Sequence, residues 1–205
     1  GKRYKTLPSL DEIIDGEISF SEARDVAYSD LLGRDEVKLD MNSIEKFLLG
    51  KRVLITGAGG SIGSELVSQC LKHKPAEIIC LDTNEEKIHN INQFSNQTKT
   101  DTVIRSVLAS INDKKELRKV FIGNRPQIVF HAAAYKHVPI QENYPWAAVK
   151  TNVGGTLKVV QLSEEYNVEK FVLVSTDKAV NPVNVMGATK RLAEKVIQSY
   201  HLQSK

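Results

Sequence analysis

Cysteine is scarce in this sequence, which contains two, Cys70 and Cys80, among 205 residues. They fall on a predicted helix and a predicted strand without the spacing of metal ligands. We therefore expect reduced core residues in a cytosolic compartment and no disulfide framework. The sequence also lacks an apolar run of membrane-spanning length and a recognisable signal peptide. The net charge is only +3, and no basic run is interleaved with aromatic residues, which argues against a nucleic-acid partner.

The composition, 41% hydrophobic and 26% charged over 205 residues, is typical of a soluble globular protein with one sizeable domain. Residues 1–50 differ from the rest because they carry only short elements. A capping-box pattern at Ser9–Glu12 followed by Gly16, and a helix start at Asn42 that Gly50 closes, predict two short helices. We interpret this segment as an N-terminal helical arm that packs on a main domain of residues 51–205.

From Lys51 onward, strand patterns and helix patterns alternate. Strands are predicted at 52–56, 77–82, 102–107, 127–131 and 170–174, and helices at 61–73, 84–92, 112–122, 145–165 and 187–202. The strands are apolar or β-branched runs, as in strands buried on both faces, and the alternation implies right-handed crossovers. We therefore expect an α/β fold, a Rossmann-type doubly wound parallel sheet of order 3-2-1-4-5. The last helix reaches almost to Lys205, so a C-terminal substrate lobe is expected to be absent from this chain.

A glycine-rich turn follows the first predicted strand and opens a helix, the context that makes such a motif specific. Gly57 allows the tight turn, Gly60 lets the backbone approach a pyrophosphate, and Gly63 permits close packing of helix on strand. The helix start offers N–H groups and a positive dipole end to phosphate, and we expect Ser61 and Ile62 to supply such groups. The turn therefore predicts a dinucleotide site.

Two further strand ends fit that interpretation. Asp82 ends the second strand, where an acid accepts hydrogen bonds from ribose hydroxyls and repels a 2′-phosphate, which favours NAD over NADP. The alternative is a surface aspartate that caps the next helix. Ala132, Ala133 and Ala134 follow the fourth strand, and their small size lets the chain pass close to the adenosine half of a cofactor or pack tightly against a helix. His131, just before them, is expected to be a core histidine.

The segment from Ser175 to Lys190 follows the fifth strand and enters a helix. It brings lysine, aspartate and hydroxyl side chains to the carboxyl end of a strand, where open α/β sheets bind ligands. Met186 and Lys190 share one face of the helix. Met186 stands where a short-chain dehydrogenase has a tyrosine, and a thioether has no proton to exchange. Asp177 as a helix cap and Lys178 as a solvated charge are the plain alternatives to catalysis.

These segments carry a resemblance to a known family. The chain resembles the extended short-chain dehydrogenase/reductases of polysaccharide biosynthesis, and more narrowly the UDP-N-acetylhexosamine 4,6-dehydratases whose large members have an N-terminal membrane region. The resemblance lies in Asp30–Arg34, Thr56–Gly63, His131–Pro139, Val149–Val153 and Ser175–Lys190. It implies oxidation of the sugar at C4 by NAD, elimination across C5 and C6, and return of the hydride to C6. It also implies a UDP-sugar substrate and a site on the cytoplasmic face, with the full-length protein anchored in the inner membrane.

The resemblance also implies roles for residues. Asp177 matches the acid that protonates the C6 oxygen, and Lys178 matches the base at C5. A lysine base must be neutral, so its pKa must fall through burial or nearby positive charge. Thr176 is expected to bond near the C4 oxygen, and Lys190 to bond the nicotinamide ribose.

Other matched positions are less direct. Lys136 corresponds to a lysine near cofactor and substrate, and Asn152 to a helix asparagine that orders the site. Met186 fits the large branch and is expected to pack beside the nicotinamide or the sugar. The family usually has Gly-Asp-Ile or Gly-Asp-Val where this chain has Ala109-Ser110-Ile111, so Ser110 should make a weaker contact near adenine.

Two alternatives remain at this point. One is a 4-epimerase or 4-keto reductase of the same superfamily, and the other is a non-catalytic NAD-binding module. Simple redox at C4 needs neither a C5 base nor a C6 acid, so the pair Asp177 and Lys178 favours the dehydratase. The exact sugar and the formation of a homo-oligomer stay open.

Overall fold

The computed structural model describes residues 40–203 and two short backbone segments, Lys5–Thr6 and Arg24–Asp25, which pair with each other in antiparallel fashion. The predicted helix at Ser9–Glu12 and the family segment at Asp30–Arg34 lie outside the described residues. The described residues from Asn42 onward belong to one compact unit. Packing of the N-terminal arm on this unit stays a prediction.

Five parallel strands form the sheet of this unit. They are β1 (Arg52–Thr56), β2 (Glu77–Asp82), β3 (Val103–Leu108), β4 (Ile128–His131) and β5 (Lys170–Leu173). Their order is β3-β2-β1-β4-β5, which confirms the predicted doubly wound topology. In the register of the sheet, Thr56 at the end of β1 lies opposite Leu81 of β2 and His131 of β4. The carboxyl ends of the three central strands therefore meet at one edge.

Helices connect the strands on both faces. They are α1 (Met41–Leu48), α2 (Ser61–Leu71), α3 (Glu85–Gln97), α4 (Lys114–Asn124), α5 (Val138–Asn143), α6 (Pro145–Ala148), a π-helix (Val149–Gly155), α7 (Thr156–Glu165), a 3₁₀ turn (Asp177–Ala179) and α8 (Val185–Gln203). At two of these helices a side chain caps the N-terminus. Asn84 accepts the Lys87 N–H at α3, and Asp113 accepts those of Lys115 and Glu116 at α4. No helix among the described residues is both long and apolar enough to cross a bilayer.

The core has two layers because successive residues of a buried strand point to opposite faces. Val53 and Ile55 of β1 pack with α2 and α3, whereas Leu54 packs with α4 and α7. Cys70 and Cys80 are buried free thiols in the first layer. Burial raises the pKa of each to about 12, so both stay protonated, as the sequence led us to expect.

Helix α1 packs on the first layer. Leu48 is buried there, and the ring of Phe47 meets that of Phe130 edge-on with centroids 6.5 Å apart. Gly50 ends the segment with φ +68°, a left-handed conformation that glycine adopts without strain. The predicted short helix between Asn42 and Gly50 is therefore confirmed.

The helix predicted over 145–165 is confirmed, but it is not α-helical throughout. The segment consists of α6, the π-helix and α7 in direct succession. At the end of the π-helix, Gly155 lies so close to Ile111 that a Cβ would come within 2.6 Å of its Cδ1. A widened turn is common at functional sites, and here it lets the helix pass directly against the loop that follows β3.

Candidate functional site

A cleft of about 350 Å³ opens at the carboxyl ends of β1, β2 and β4. It lies where the strand order reverses, between β1 and β4, the usual ligand position in such sheets. Every residue predicted to bind the cofactor except Lys190 lines it: Gly57, Gly60, Ser61, Ile62, Gly63, Asp82, Ser110, Ile111, Ala132, Ala133, Ala134 and Lys136. The cleft is also lined by Leu81, Thr83, Asn112, Tyr135 and Thr151, which were not among the residues predicted to bind the cofactor.

The glycine turn has no room for side chains. Gly57 has φ +67°, and a Cβ there would come within 2.7 Å of the Ala133 Cα. A Cβ on Gly63 would overlap the Gly57 carbonyl. No side chain caps the start of α2 at Gly60. The first turn of α2 therefore faces the cleft as an anion-binding helix end.

Asp82 is held in one orientation by two backbone groups. Its Oδ2 accepts the N–H of Gly59 at 2.9 Å, and its Oδ1 accepts that of Asn84 at 3.0 Å. Asn84 caps α3, so the alternative of Asp82 as that cap is wrong. Sequence reasoning missed Gly59, where a Cβ would overlap the Lys87 side chain. The run of glycines was the available signal.

His131 is 1% exposed and lies between two threonines. Its Nδ1 is 2.6 Å from Thr56 Oγ1, and its Nε2 is 2.9 Å from Thr156 Oγ1. Burial, helped by the positive charge of Lys190, lowers the pKa of His131 to about 3. The ring is therefore neutral, as expected of a core histidine.

The donor and acceptor in each hydrogen bond of His131 follow from the role of Thr156. Thr156 donates its hydroxyl proton to the Asn152 carbonyl at 2.6 Å, so it accepts from Nε2–H of His131. Nδ1 is then the acceptor, and Thr56 donates to it. This series of hydrogen bonds links β1, β4 and the π-helix to one another behind the cleft.

Asn152 is buried in the π-helix and joins the cleft to α8. Its amide pairs with both backbone groups of Tyr135, at 2.8 Å to the N–H and 3.0 Å to the carbonyl. It also donates to Thr189 Oγ1 at 3.0 Å, and Thr189 donates to the Met186 carbonyl at 2.8 Å. With 1% exposure, Asn152 orders the site from behind rather than facing a ligand.

Thr176, Asp177 and Lys178 lie at the exit of β5, where the 3₁₀ turn begins. The Thr176 hydroxyl and the Lys178 N–H each donate to Asp177 Oδ1 at 2.9 Å. The Thr176 hydrogen bond, with the Lys178 N–H and ammonium, lowers the pKa of Asp177. Asp177 and Lys178 are exposed. In this state the turn presents an ionised carboxylate beside an ammonium group.

Helix α8 buries Met186 and Lys190, which are 5% and 6% exposed. The Lys190 ammonium donates to the Val174 carbonyl, and burial lowers the pKa of Lys190 while Glu194 opposes that shift. Gly187 allows the close approach of α8, because a Cβ there would overlap the Lys178 carbonyl. The sequence gave no role to Gly187.

The predicted catalytic residues do not line the cleft itself. Thr176, Asp177 and Lys178 form one turn, Met186 and Lys190 lie on the helix behind it, and Asn152 links that helix to Tyr135 in the cleft. The arrangement combines a cleft at the glycine-rich turn with a separate turn that carries a carboxylate and a lysine side chain.

Comparison with known proteins gives the context. A family described as "Polysaccharide biosynthesis protein" matches residues 53–205. The capsular polysaccharide biosynthesis protein CapD of Staphylococcus aureus is 45% identical over 194 residues, which are 94% of this chain and 32% of that protein. An inverting UDP-N-acetylglucosamine 4,6-dehydratase of Campylobacter jejuni is 36% identical over 148 residues, which are 72% of this chain and 42% of that protein.

Among solved structures, the UDP-glucose 4-epimerase of Thermotoga maritima with UDP-glucose superposes with a TM-score of 0.63 at 26% identity. The match covers 73% of this chain and 50% of the epimerase. The chain thus spans between a third and a half of the length of these relatives.

Proposed function

The chain belongs to the polysaccharide biosynthesis family of extended short-chain dehydrogenase/reductases, and we propose that it carries the cofactor cleft and acid–base turn of an NAD-dependent sugar-nucleotide 4,6-dehydratase. The observation that carries the proposal is that Asp177 and Lys178 lie next to each other in the turn at the exit of β5, beside a buried Met186. Proton transfer then belongs to the strand end and not to the helix.

The cleft fits a dinucleotide. The open start of α2 suits a pyrophosphate, and the backbone at Gly57 passes where any Cβ would collide with Ala133. The fixed carboxylate of Asp82 suits the adenosine ribose hydroxyls and disfavours a 2′-phosphate, which supports NAD over NADP. Lys190 bonds the nicotinamide ribose. Bound NAD supplies the hydride acceptor for C4 and the hydride donor for C6.

The acid–base roles require both side chains of the turn to change protonation. Asp177 must carry a proton and Lys178 must lose one, whereas both are exposed and the pKa of Asp177 is low. Burial raises the pKa of a carboxyl and lowers that of an ammonium group. A sugar that covers the turn therefore moves both groups toward the states that elimination needs.

Each residue then has one role. Lys178 removes the C5 proton, and Asp177 protonates the departing C6 hydroxyl. Once Asp177 is protonated, the Thr176 hydroxyl is released from it and bonds the C4 oxygen. The substrate is a UDP-N-acetylglucosamine-like sugar nucleotide used for polysaccharide synthesis. The site lies on the cytoplasmic side of the membrane.

A second candidate is a 4-epimerase, favoured by the likeness to the Thermotoga maritima epimerase. Epimerisation at C4 needs an acid–base group for the C4 hydroxyl only. Both reactions oxidise C4, so Met186 does not distinguish them, whereas Asp177 and Lys178 together have a role only in elimination. This point supports the dehydratase.

Replacement of Lys178 by Ala in the natural full-length protein tests the proposal. We expect loss of 4-keto-6-deoxy product from UDP-N-acetylglucosamine with NAD affinity nearly intact. Lys195→Ala, which removes an exposed ammonium group from α8, is the matched control and should retain turnover. Equal turnover in the two variants would overturn the assignment of Lys178 as the base.

A further inference from the structure

One face of α8 forms hydrogen bonds with two successive residues, Val174 and Ser175, directly after β5. Lys190 and Glu194 are one turn apart on the helix and so share a face. The Lys190 ammonium donates to the Val174 carbonyl, and the Ser175 hydroxyl donates to Glu194 Oε1 at 2.6 Å. Val174 and Ser175 are the residues just before the turn that begins with Thr176.

We propose that Glu194 is a positioning residue: it anchors Ser175, and with it the acid–base turn, to α8. The inference rests on the proposed function for what the turn does. It adds a residue that touches neither cofactor nor substrate and acts through Ser175, which precedes the reacting groups.

The Glu194 carboxylate is also held by a second residue. Arg191 donates to the second carboxylate oxygen, Oε2, at 2.9 Å, and the Glu194 side chain is only 24% exposed. A hydrogen bond from a hydroxyl to an ionised carboxylate is stronger than one between neutral groups. The Ser175 and Arg191 hydrogen bonds accordingly lower the pKa of Glu194.

The bond between Ser175 and Glu194 does not depend on the cofactor. In the proposed function the Lys190 ammonium, which has three N–H donors, also bonds the nicotinamide ribose. The bond between Ser175 and Glu194 has no part in cofactor binding and serves only as a side-chain link from this face of α8 to the strand end. Without it, Asp177 and Lys178 would lose their fixed position relative to the sugar.

Three variants separate the anchor from the charge. Ser175→Ala removes the hydrogen bond and keeps the carboxylate. Glu194→Gln removes the charge and keeps an oxygen that accepts from Ser175. Glu194→Ala removes both. Glu165→Ala is the control, because Glu165 forms a comparable exposed pair with Arg118, with Oε1 2.7 Å from NH1, between α7 and α4.

The anchor is measured first without activity, by amide hydrogen exchange in the natural full-length protein. The amides of Ala179 and Val180 close the turn onto Thr176 and Asp177. We expect faster exchange at both in Ser175→Ala and Glu194→Ala, and unchanged exchange in Glu194→Gln and Glu165→Ala. In turnover, the first two variants should lose about tenfold in kcat, since small displacements of reacting groups are costly, with little change in KM for the cofactor.

Exchange and kcat in Ser175→Ala and Glu194→Ala that both match those of Glu165→Ala would overturn the inference while leaving the proposed function intact. A wild-type protein that binds no NAD would overturn the proposed function, whereas the exchange result would still decide the anchor.

Discussion

The backbone N–H of Gly59 donates a 2.9 Å hydrogen bond to Oδ2 of Asp82 and thereby ties the phosphate turn to the end of β2. The bond aligns the residue that we propose to face the ribose with the loop that we propose to face the pyrophosphate. Because a Cβ on Gly59 would overlap Lys87, the tie depends on glycine.

Gly59→Ala should weaken NAD binding by at least about tenfold, because the added methyl group displaces Lys87 and the Asp82 carboxylate. The matched control is Gly123→Ala in α4, where a Cβ would meet nothing within 4 Å. That change should stabilise the helix by roughly 0.5–1 kcal/mol and leave NAD affinity unchanged. Calorimetric titration and chemical denaturation measure the two effects, and equal NAD affinity in both variants would contradict the account.

Asp82→Asn should reduce the preference for NAD over NADP. The substitution removes the charge that repels a 2′-phosphate and keeps one oxygen, so one of the Gly59 and Asn84 N–H groups retains its acceptor. We expect NAD affinity to fall and NADP affinity to rise, for a change in ratio of about tenfold or more. Titration of both cofactors against both proteins measures the ratio, and an unchanged ratio would remove Asp82 from cofactor discrimination.

His131 makes stability depend on pH. Its pKa is about 3 in the folded protein against an ordinary 6.5, so between these values the unfolded chain binds a proton that the folded protein does not. Stability is therefore lost as pH falls through this window, by about 2 kcal/mol at about pH 5. Denaturant unfolding across that pH range measures the slope.

The matched comparison for this pH effect is between His131→Gln and His89→Gln. The first variant is less stable overall, but its stability should fall less steeply toward acid pH. His89 is exposed on α3, so its replacement should leave the slope of the wild type. A His131→Gln profile parallel to the wild type would show that another group is responsible.

Asn152→Leu should destabilise the protein by about 2–4 kcal/mol, because it leaves the buried N–H and carbonyl of Tyr135 without their partner. Asn96→Leu, at an exposed position of α3, should change stability by less than about 0.5 kcal/mol. Unfolding midpoints at neutral pH compare the two. A small loss in Asn152→Leu would mean that the link between Tyr135 and Thr189 does not hold the site together.

The sheet and the cleft could be predicted because their signals are local. Apolar runs identify the strands, and the tight turn after β1 is visible in the sequence as a run of glycines. The order of the strands and the lining around Gly57 and Asp82 therefore followed from the sequence. The burial of Cys70 and Cys80 could likewise be predicted, because both lie on apolar elements.

What could not be predicted depends on contacts distant in sequence. The π-helix is imposed by the approach of Gly155 to Ile111, and α5 is six residues long, too short to show a helical period. The bonds of Asn152 to Tyr135 and Thr189, and of Glu194 to Ser175, join residues that only the fold brings together. Sequence patterns identify such residues as polar and helical but not their partners.

The central claim is that this chain carries the base that removes a proton from C5 of a sugar nucleotide. Turnover of UDP-N-acetylglucosamine by the natural full-length protein in heavy water, followed by NMR of the product, tests it most directly. The account predicts deuterium at C5 of a 4-keto-6-deoxy product in the wild type, and no such product from Lys178→Ala. Turnover that leaves C5 fully protonated would contradict it.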